Sequence, residues 1–148
     1  MAGITLPSEG VKDILVSAGI GVFASQSATE WSIRISKMEP KPDKMIAIFD
    51  TPGLPPQPGL DINYPALQIV VRGTPAGYVD SYAKAQRIVD ELLGRDTETR
   101  GGDIWASVTM SSDIINLGYD DNERPMWSMN FQLIVHQGDL TYSHRDPC

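Results

Sequence analysis

The chain has 148 residues, a length that suits one domain, and its formal net charge is −7. This acidic balance argues against a protein that grips nucleic acid by its phosphates. No apolar run approaches the roughly 18 residues of a membrane span, and the first residues lack the pattern of a signal peptide, so neither membrane insertion nor export is expected. Cys148 is the single cysteine, which excludes an intramolecular disulfide.

A helix is predicted near the start of the chain, where apolar residues recur at spacings of three and four. Ser8 stands where a capping side chain belongs, and Gly19 is expected to end the helix. The apolar residues of this helix are Val11, Ile14, Leu15 and Ala18.

Two strands are predicted next. Residues 31–36 alternate between apolar and polar side chains, which predicts a half-buried strand. Residues 45–50 are apolar almost throughout, a pattern typical of a central strand or of one covered on both faces. The two prolines of residues 38–43 predict a turn between these strands.

Residues 51–63 are the longest irregular segment, with four prolines and two glycines. Because proline lacks an N–H and fixes φ, we expect neither a helix nor an inner strand here. Two interpretations are open, namely a surface loop or a stiff arm that reaches a neighbouring subunit. Leu54 and Leu60 are apolar residues of this segment, so Asp or Lys at either position is expected to impair assembly more than folding.

A strand, a turn and a helix are predicted in that order within residues 64–94. Alternating apolar residues define the strand at residues 66–72, and glycines with a proline then break it. An amphipathic helix follows, with Gly94 at the position of its C-terminal cap. The apolar side of this helix carries Tyr78, Tyr82, Ala85, Val89 and Leu92.

The last third of the chain predicts two more strands, at residues 104–110 and residues 127–136, and the second has the clearest period-two pattern in the chain. Residues 95–103 are polar and contain glycine, which predicts an exposed loop. Residues 111–122 are expected to be a connection with turn chemistry. Residues 137–148 lack periodicity and are expected to form a flexible tail.

These elements predict a single domain of the α+β class over residues 1–148. Two helices cannot cover both faces of such a sheet well, so the expected architecture has two layers. It consists of a mixed, mostly antiparallel sheet of about four to five strands with two helices on one face. The other face is then left to water or to another subunit.

The sequence shows no constellation typical of catalysis or of metal binding. His136, His144 and Cys148 are the only soft ligands, and they are too few for a structural zinc site. The acidic residues of 120–123 are interpreted as a bend held by Asx turns rather than as a cation site. Neither a nucleophile elbow nor a phosphate-binding glycine loop is present. We therefore predict no catalytic residue, no cofactor and no metal.

Five residues are candidates for contacts with a neighbouring subunit or another partner. Arg72 ends a predicted strand, where a salt bridge on the rim of the sheet is the alternative to a contact across a subunit boundary. The arginines of the polar loop have solvated charge as their alternative role. The five candidates are Leu54, Leu60, Arg72, Arg95 and Arg100.

The order and spacing of several segments over residues 8–136 resemble the tail-terminator or minor capsid proteins of long-tailed bacteriophages. The features that match are Pro42-Asp43, the Pro/Gly segment after the second strand, Tyr64-Pro65 leading into residues 68–72, the Ala-rich helix, and Leu117-Gly118-Tyr119-Asp120 with Arg124 before residues 127–131.

The resemblance implies a small subunit that forms a six-membered ring on the tail tube, stops its growth and faces the head-completion proteins. It implies a virion protein of the head–tail junction, assembled in the host cytoplasm, with no enzymatic activity. The partners would be copies of the chain, the tail-tube protein and a head-completion or connector protein, while DNA passes through the lumen without specific binding. The alternatives are another neck or tail component, and a small-ligand-binding α+β domain.

Overall fold

The computed structural model describes residues 6–57, 59, 62–93, 98–100 and 103–136, so the predicted flexible tail of residues 137–148 lies outside it. Within these residues the chain forms two helices and eight strands. Neither helix is long and apolar enough to cross a membrane. The elements are α1 (Pro7–Ser17), β1 (Val22–Phe23), β2 (Ser32–Ile35), β3 (Met45–Gln57), β4 (Ile62–Arg72), α2 (Tyr78–Leu92), β5 (Glu98–Arg100), β6 (Asp103–Met110), β7 (Ile115–Tyr119) and β8 (Pro125–His136).

The described strands form one mixed sheet in the order β1-β2-β3-β4-β8-β6-β5. The pairs β1–β2 and β2–β3 are parallel, and the remaining pairs are antiparallel. β7 pairs with the first residues of β8, and β6 pairs with its later residues. The predicted mixed, mostly antiparallel α+β class is confirmed, whereas the predicted number of four to five strands is too small.

The strands that sequence reasoning missed are short, and the two whose side chains are described, β1 and β7, are mostly exposed. β1 and most of β7 face solvent, so neither shows the alternation of buried and exposed residues that marks a half-buried strand. β7 lies in the predicted connection of residues 111–122, and β5 lies in the predicted loop of residues 95–103. β1 and β7 are therefore defined by hydrogen bonds to a neighbouring strand rather than by a buried face.

The proline-rich segment is not a loop, because β3 continues through it as far as Gln57. Beyond residue 51 the pairing with β4 is irregular: Leu54 lies opposite Tyr64 and Gln57 opposite Ile62, with a register shift before each pair. Proline is tolerated at such bulges and on edge strands, where no N–H is required for the ladder. Gly53 is needed at the first shift, since a side chain there would run into the carbonyl oxygen of Tyr64.

The hydrophobic core lies between the helices and one set of alternating sheet residues. Ile48, Ile69 and Met129 are neighbours across β3, β4 and β8, and all three are fully buried. Ile14 of α1 and Ile88 of α2 belong to the same apolar cluster. Both helices therefore share one apolar cluster with residues of the sheet.

The opposite face of the sheet is not bare at its centre. Ala47 is fully buried, and Val70 and Ser128 are 7% and 1% exposed. Gln68 donates a hydrogen bond of 2.8 Å from its side-chain nitrogen to the hydroxyl of Ser128. A single copy of the chain thus excludes water from the middle of this face without a partner.

The first helix has a different start from the one predicted. Its N-cap is Leu6, which makes no side-chain capping bond, so the expected cap by Ser8 is wrong. Instead, the Ser8 hydroxyl donates to Asp50 at 2.6 Å, and the Ser8 amide donates to the same carboxylate at 3.1 Å. Asp50 of the neighbouring strand β3 thereby accepts one N–H of the first helical turn, that of Ser8.

The second helix is present where predicted, but its buried side is rotated relative to the predicted apolar side. The buried residues are Ser81, Ala85, Ile88 and Leu92, whereas Tyr78 and Tyr82 are 41% and 39% exposed. Ser81 is held inside because its hydroxyl accepts a hydrogen bond from the indole nitrogen of Trp127 at 2.9 Å. The two tyrosines are displaced onto the flank of the helix that faces β8.

Candidate assembly surfaces

Among the residues that the structure describes, no group of three or more His, Cys, Asp or Glu side chains is placed to hold a metal ion. His136 is half-buried at the end of β8, as a residue of the sheet rim, while His144 and Cys148 lie outside the described ranges. The features that stand out are instead a buried arginine pair and two surface regions on either flank of α2.

The five predicted contact residues have different outcomes. Leu54 is 61% exposed on the irregular part of β3, so it is available to a partner. Leu60 and Arg95 lie outside the described residues, and Arg100 lies in β5 with a side chain that is not described. Only Leu54 therefore has a described side chain on an open surface; Arg72 does not.

Arg72 is 3% exposed and faces into the protein. It donates to the carbonyl of Pro42 at 2.7 Å and to the carbonyl of Asp43 at 3.1 Å, so it fastens the proline turn to β4 rather than forming the expected rim salt bridge. Burial lowers the pKa of Arg72, and the positive charge of Arg124 lowers it further.

Arg124 is a second buried arginine, which sequence reasoning included in a motif but did not single out as a site. It donates to Asp120 at 2.8 Å, to the side chain of Asp43 at 3.1 Å and to the carbonyl of Pro40 at 2.6 Å. It is 5% exposed. Arg72, at the end of β4, and Arg124, in the turn before β8, thus both anchor residues 40–43.

Asp120 organises the turn between β7 and β8. Its carboxylate accepts the amides of Asn122 at 3.0 Å and Arg124 at 2.9 Å, which confirms the interpretation of an Asx turn. Burial would raise the pKa of Asp120, but these amide bonds and the Arg124 guanidinium outweigh it and hold the pKa below its ordinary value. Asp121 and Glu123 remain exposed at the tip.

A basic cleft, defined by Trp31, Lys44, Lys84 and Arg87, lies on the flank of α2 that faces α1 and β1. The ammonium groups of Lys44 and Lys84 lie 5.7 Å and 5.4 Å from the centre of the Trp31 ring, within cation–π range. The cleft has a volume of about 370 Å³, and Asp80 is the acidic residue on its wall.

Backbone carbonyls hold the three cations of the basic cleft in place. Lys84 donates to Ile20 at 3.0 Å, Arg87 to Ala18 at 3.0 Å and Lys44 to Thr29 at 3.1 Å. Burial lowers the pKa of Lys84, and the charges of Arg87 and Lys44 add to this effect. In the described part of the chain, none of the three is in an ion pair with a carboxylate.

An aromatic surface, defined by Tyr78, Tyr82 and Tyr119, lies on the other flank of α2. The rings of Tyr78 and Tyr82 lie 5.1 Å and 4.9 Å from the ring of Trp127, and Tyr119 stacks on Tyr78 at 6.2 Å. Tyr119 is 58% exposed and directly precedes residues 120–123, the acidic turn between β7 and β8. Exposed aromatic groups of this kind are typical of protein–protein contacts.

Sequence reasoning had little access to these surfaces. The basic cleft joins four residues from three separate segments, and no spacing rule connects them. Tyr78 and Tyr82 of the aromatic surface were expected on the apolar side of α2 because they fit a helical apolar pattern. The signal available in the sequence was the hydroxyl group of each tyrosine, since a helix side with two tyrosines carries hydroxyls that need water or a partner.

Comparison with solved structures shows a likeness of fold. The fold is similar to that of a chain in the virion of a native gene transfer agent particle, with a TM-score of 0.58 and 14% sequence identity. The match covers 87% of this chain and 93% of that chain. At this identity the likeness concerns the fold alone.

The family follows from the sequence. A family model described as "Bacteriophage tail terminator protein" matches residues 14–137, so the chain belongs to the bacteriophage tail terminator family. No curated protein matches the chain. The resemblance predicted from the order of the motifs is confirmed by this match.

Proposed function

We propose that this chain is a structural virion protein that forms a ring at the head-proximal end of the phage tail. There it terminates polymerisation of the tail tube and joins the tail to the head-completion proteins. The observation that supports this best is the tail-terminator family match over residues 14–137. The function requires surfaces that bind proteins, not reactive groups, and we propose no catalysis.

The proposed ring is a homohexamer of single-domain subunits. Cyclic rings use heterologous contacts, in which two different surfaces of each subunit meet. The basic cleft and the aromatic surface are two such different surfaces on one subunit. The proposed subunit has two layers, with α1 and α2 on one face of the sheet, as their shared hydrophobic cluster suggests.

The proposed partners above and below the ring are the tail-tube protein and a head-completion or connector protein. Leu54 is a candidate for such a contact because a leucine that is 61% exposed on an edge strand has apolar area to bury. Leu60, Arg95 and Arg100 stay in the proposal as sequence-based candidates. The ring would be placed at the neck of the virion after assembly in the host cytoplasm.

DNA is proposed to pass through the lumen of the ring without specific binding. A subunit with a formal net charge of −7 repels phosphates over most of its surface. Repulsion of this kind lets DNA move past the wall without adhering to it.

Native mass spectrometry of the purified protein, alone and after incubation with tail tubes, tests the ring. We expect a hexamer in solution, or a monomer that becomes a hexamer on the end of the tube. A protein that stays monomeric in both samples, or that coats the length of the tube, contradicts the proposed function.

A further inference from the structure

We propose that neighbouring copies in the ring bind each other through the basic cleft of one copy and the acidic turn, with its aromatic surface, of the next. This contact rests on the proposed ring, and each of its two sides consists of a small set of residues. The basic side is Trp31, Lys44, Lys84 and Arg87, and the opposing side is Tyr119, Asp121 and Glu123.

The two sides lie on opposite flanks of one subunit, as a head-to-tail contact requires. Lys84 and Arg87 project from α2 towards the connection between α1 and β1, where they bind the carbonyls of Ile20 and Ala18. Tyr78, from the first turn of α2, projects towards β7 and β8, where its ring meets Tyr119. In the sheet order, β1 is the first strand, and β7 lies beyond β8.

The charges on the two sides are complementary, and they are not paired with charges of the residues that the structure describes. In the described residues, Lys44, Lys84 and Arg87 bind only carbonyls and the Trp31 ring, which leaves N–H donors free for an acceptor. Asp121 and Glu123 are exposed, and their carboxylates make no hydrogen bond or ion pair with the described residues. Carboxylate oxygens are the acceptors that a guanidinium and two ammonium groups bind most strongly.

Both sides also carry apolar area that a neighbouring copy can cover. Val22 is 44% exposed, and it lines a concave surface of about 420 Å³ together with Trp31 and Lys84. Tyr119 is 58% exposed beside the acidic turn. A contact that seats the tyrosine near the indole while the carboxylates meet the cations combines an aromatic anchor with charge pairing.

A second copy fits this cleft better than nucleic acid does. The chain is acidic overall, so a copy supplies carboxylates, whereas a phosphate backbone would meet repulsion from the rest of the surface. Asp80 on the wall of the cleft opposes a polyanion in the same way. The cleft is thus suited to a short acidic segment with an adjacent aromatic residue.

Charge-reversed variants test the pairing. In the cleft variant, Lys44→Glu is combined with Arg87→Glu, and Lys84 is kept because it is half-buried on Ile20. In the turn variant, Asp121→Lys is combined with Glu123→Lys. A matched control reverses two exposed lysines outside the cleft, Lys37→Glu with Lys41→Glu. Ring assembly of the full-length chains is measured by native mass spectrometry at low salt, with thermal melts to verify folding.

Each reversed variant alone should assemble about 100-fold more weakly than the wild type, because like charges then meet at every contact. An equimolar mixture of the two variants should form rings with equal numbers of each, since every contact is complementary again. The control variant should assemble like the wild type.

Assembly is compared where the wild type forms rings, either in solution or on tail tubes. There, rings formed by either reversed variant with wild-type affinity, or a mixture of folded variants that stays monomeric, overturn the pairing while leaving the ring itself in place. A wild-type chain that is monomeric both alone and on tail tubes removes the ring and the pairing together. If the cleft variant is unfolded, Lys44→Gln with Arg87→Gln replaces it, and unchanged assembly of that variant also overturns the pairing.

Discussion

At the scale of single residues, the most informative groups are the two buried arginines. Arg124 binds two carboxylates and the carbonyl of Pro40, and Arg72 binds the carbonyls of Pro42 and Asp43. Arg72 therefore fixes the segment before β3 to the end of β4, and Arg124 fixes it to the turn before β8. Their role is to hold the subunit in one shape, which a subunit needs before it can present fixed surfaces to partners.

Replacing Arg124 with Met should lower the free energy of unfolding by about 2–3 kcal/mol, because Asp120 and the Pro40 carbonyl lose a buried donor. Urea unfolding followed by circular dichroism measures this change. The exposed Lys37→Ala serves as the control and should change stability by less than about 0.5 kcal/mol. Equal stability of Arg124→Met and the wild type would contradict the anchoring role.

The depressed pKa of Asp120 predicts a dependence of stability on pH. A group whose pKa is lower when folded stabilises the protein above its unfolded pKa of about 3.9, and this stabilisation is lost as pH falls through the folded value. Stability should therefore decrease below about pH 4, and Asp120→Asn should show a shallower decrease. Identical slopes for the variant and the wild type in urea titrations at several pH values would show that Asp120 does not contribute.

At the scale of elements, the periodicity of the sequence predicts strands with a buried face. It does not reveal strands that are defined only by hydrogen bonds to a neighbouring strand. In β8 every second residue from Trp127 to Val135 is buried, so this strand is predicted to within two residues of its start. β7 has no buried side, and the proline-rich part of β3 survives as a strand because its register shifts leave the prolines out of the paired positions. Local propensity could not reveal either, because the deciding contacts are to another strand.

The irregular part of β3 depends on Gly53. Gly53→Ala should lower the free energy of unfolding by about 2 kcal/mol, since the added methyl group collides with the Tyr64 carbonyl and separates β3 from β4. Gly59→Ala is the matched control, because an added methyl group there meets nothing within 4 Å. Chemical unfolding measures the free energy of unfolding of both variants. Equal values would show that the close approach at Gly53 is not required.

At the scale of the whole molecule, the family can be recognised from the order of motifs, but its working surfaces cannot. Sequence reasoning placed Leu54 correctly as an accessible apolar residue, yet it took Arg72 for a surface group and Tyr78 for a core group. Burial of these residues depends on which elements lie next to them, and the β7 strand that meets Tyr78 was not predicted. The basic cleft exists only once α2 and the segments before β2 and before β3 have come together.

Leu54 provides a test of whether exposed apolar area is buried on assembly. Leu54→Lys should weaken incorporation of the protein into particles by about tenfold or more, because a charge replaces apolar area that is buried on binding. The thermal midpoint should stay within a few degrees of the wild type, since the side chain is 61% exposed. Leu54→Met keeps the apolar surface and should assemble normally. A collapse of stability in Leu54→Lys, with normal incorporation of the folded fraction, would show that Leu54 supports the fold instead.

The most direct measurement is the distribution of tail lengths in particles produced without this protein. Electron microscopy of such particles should show tails that exceed the wild-type length and carry no heads, with normal lengths restored when the protein is supplied. Headless or complete particles whose tails keep the wild-type length distribution in its absence would contradict a role in ending tube growth.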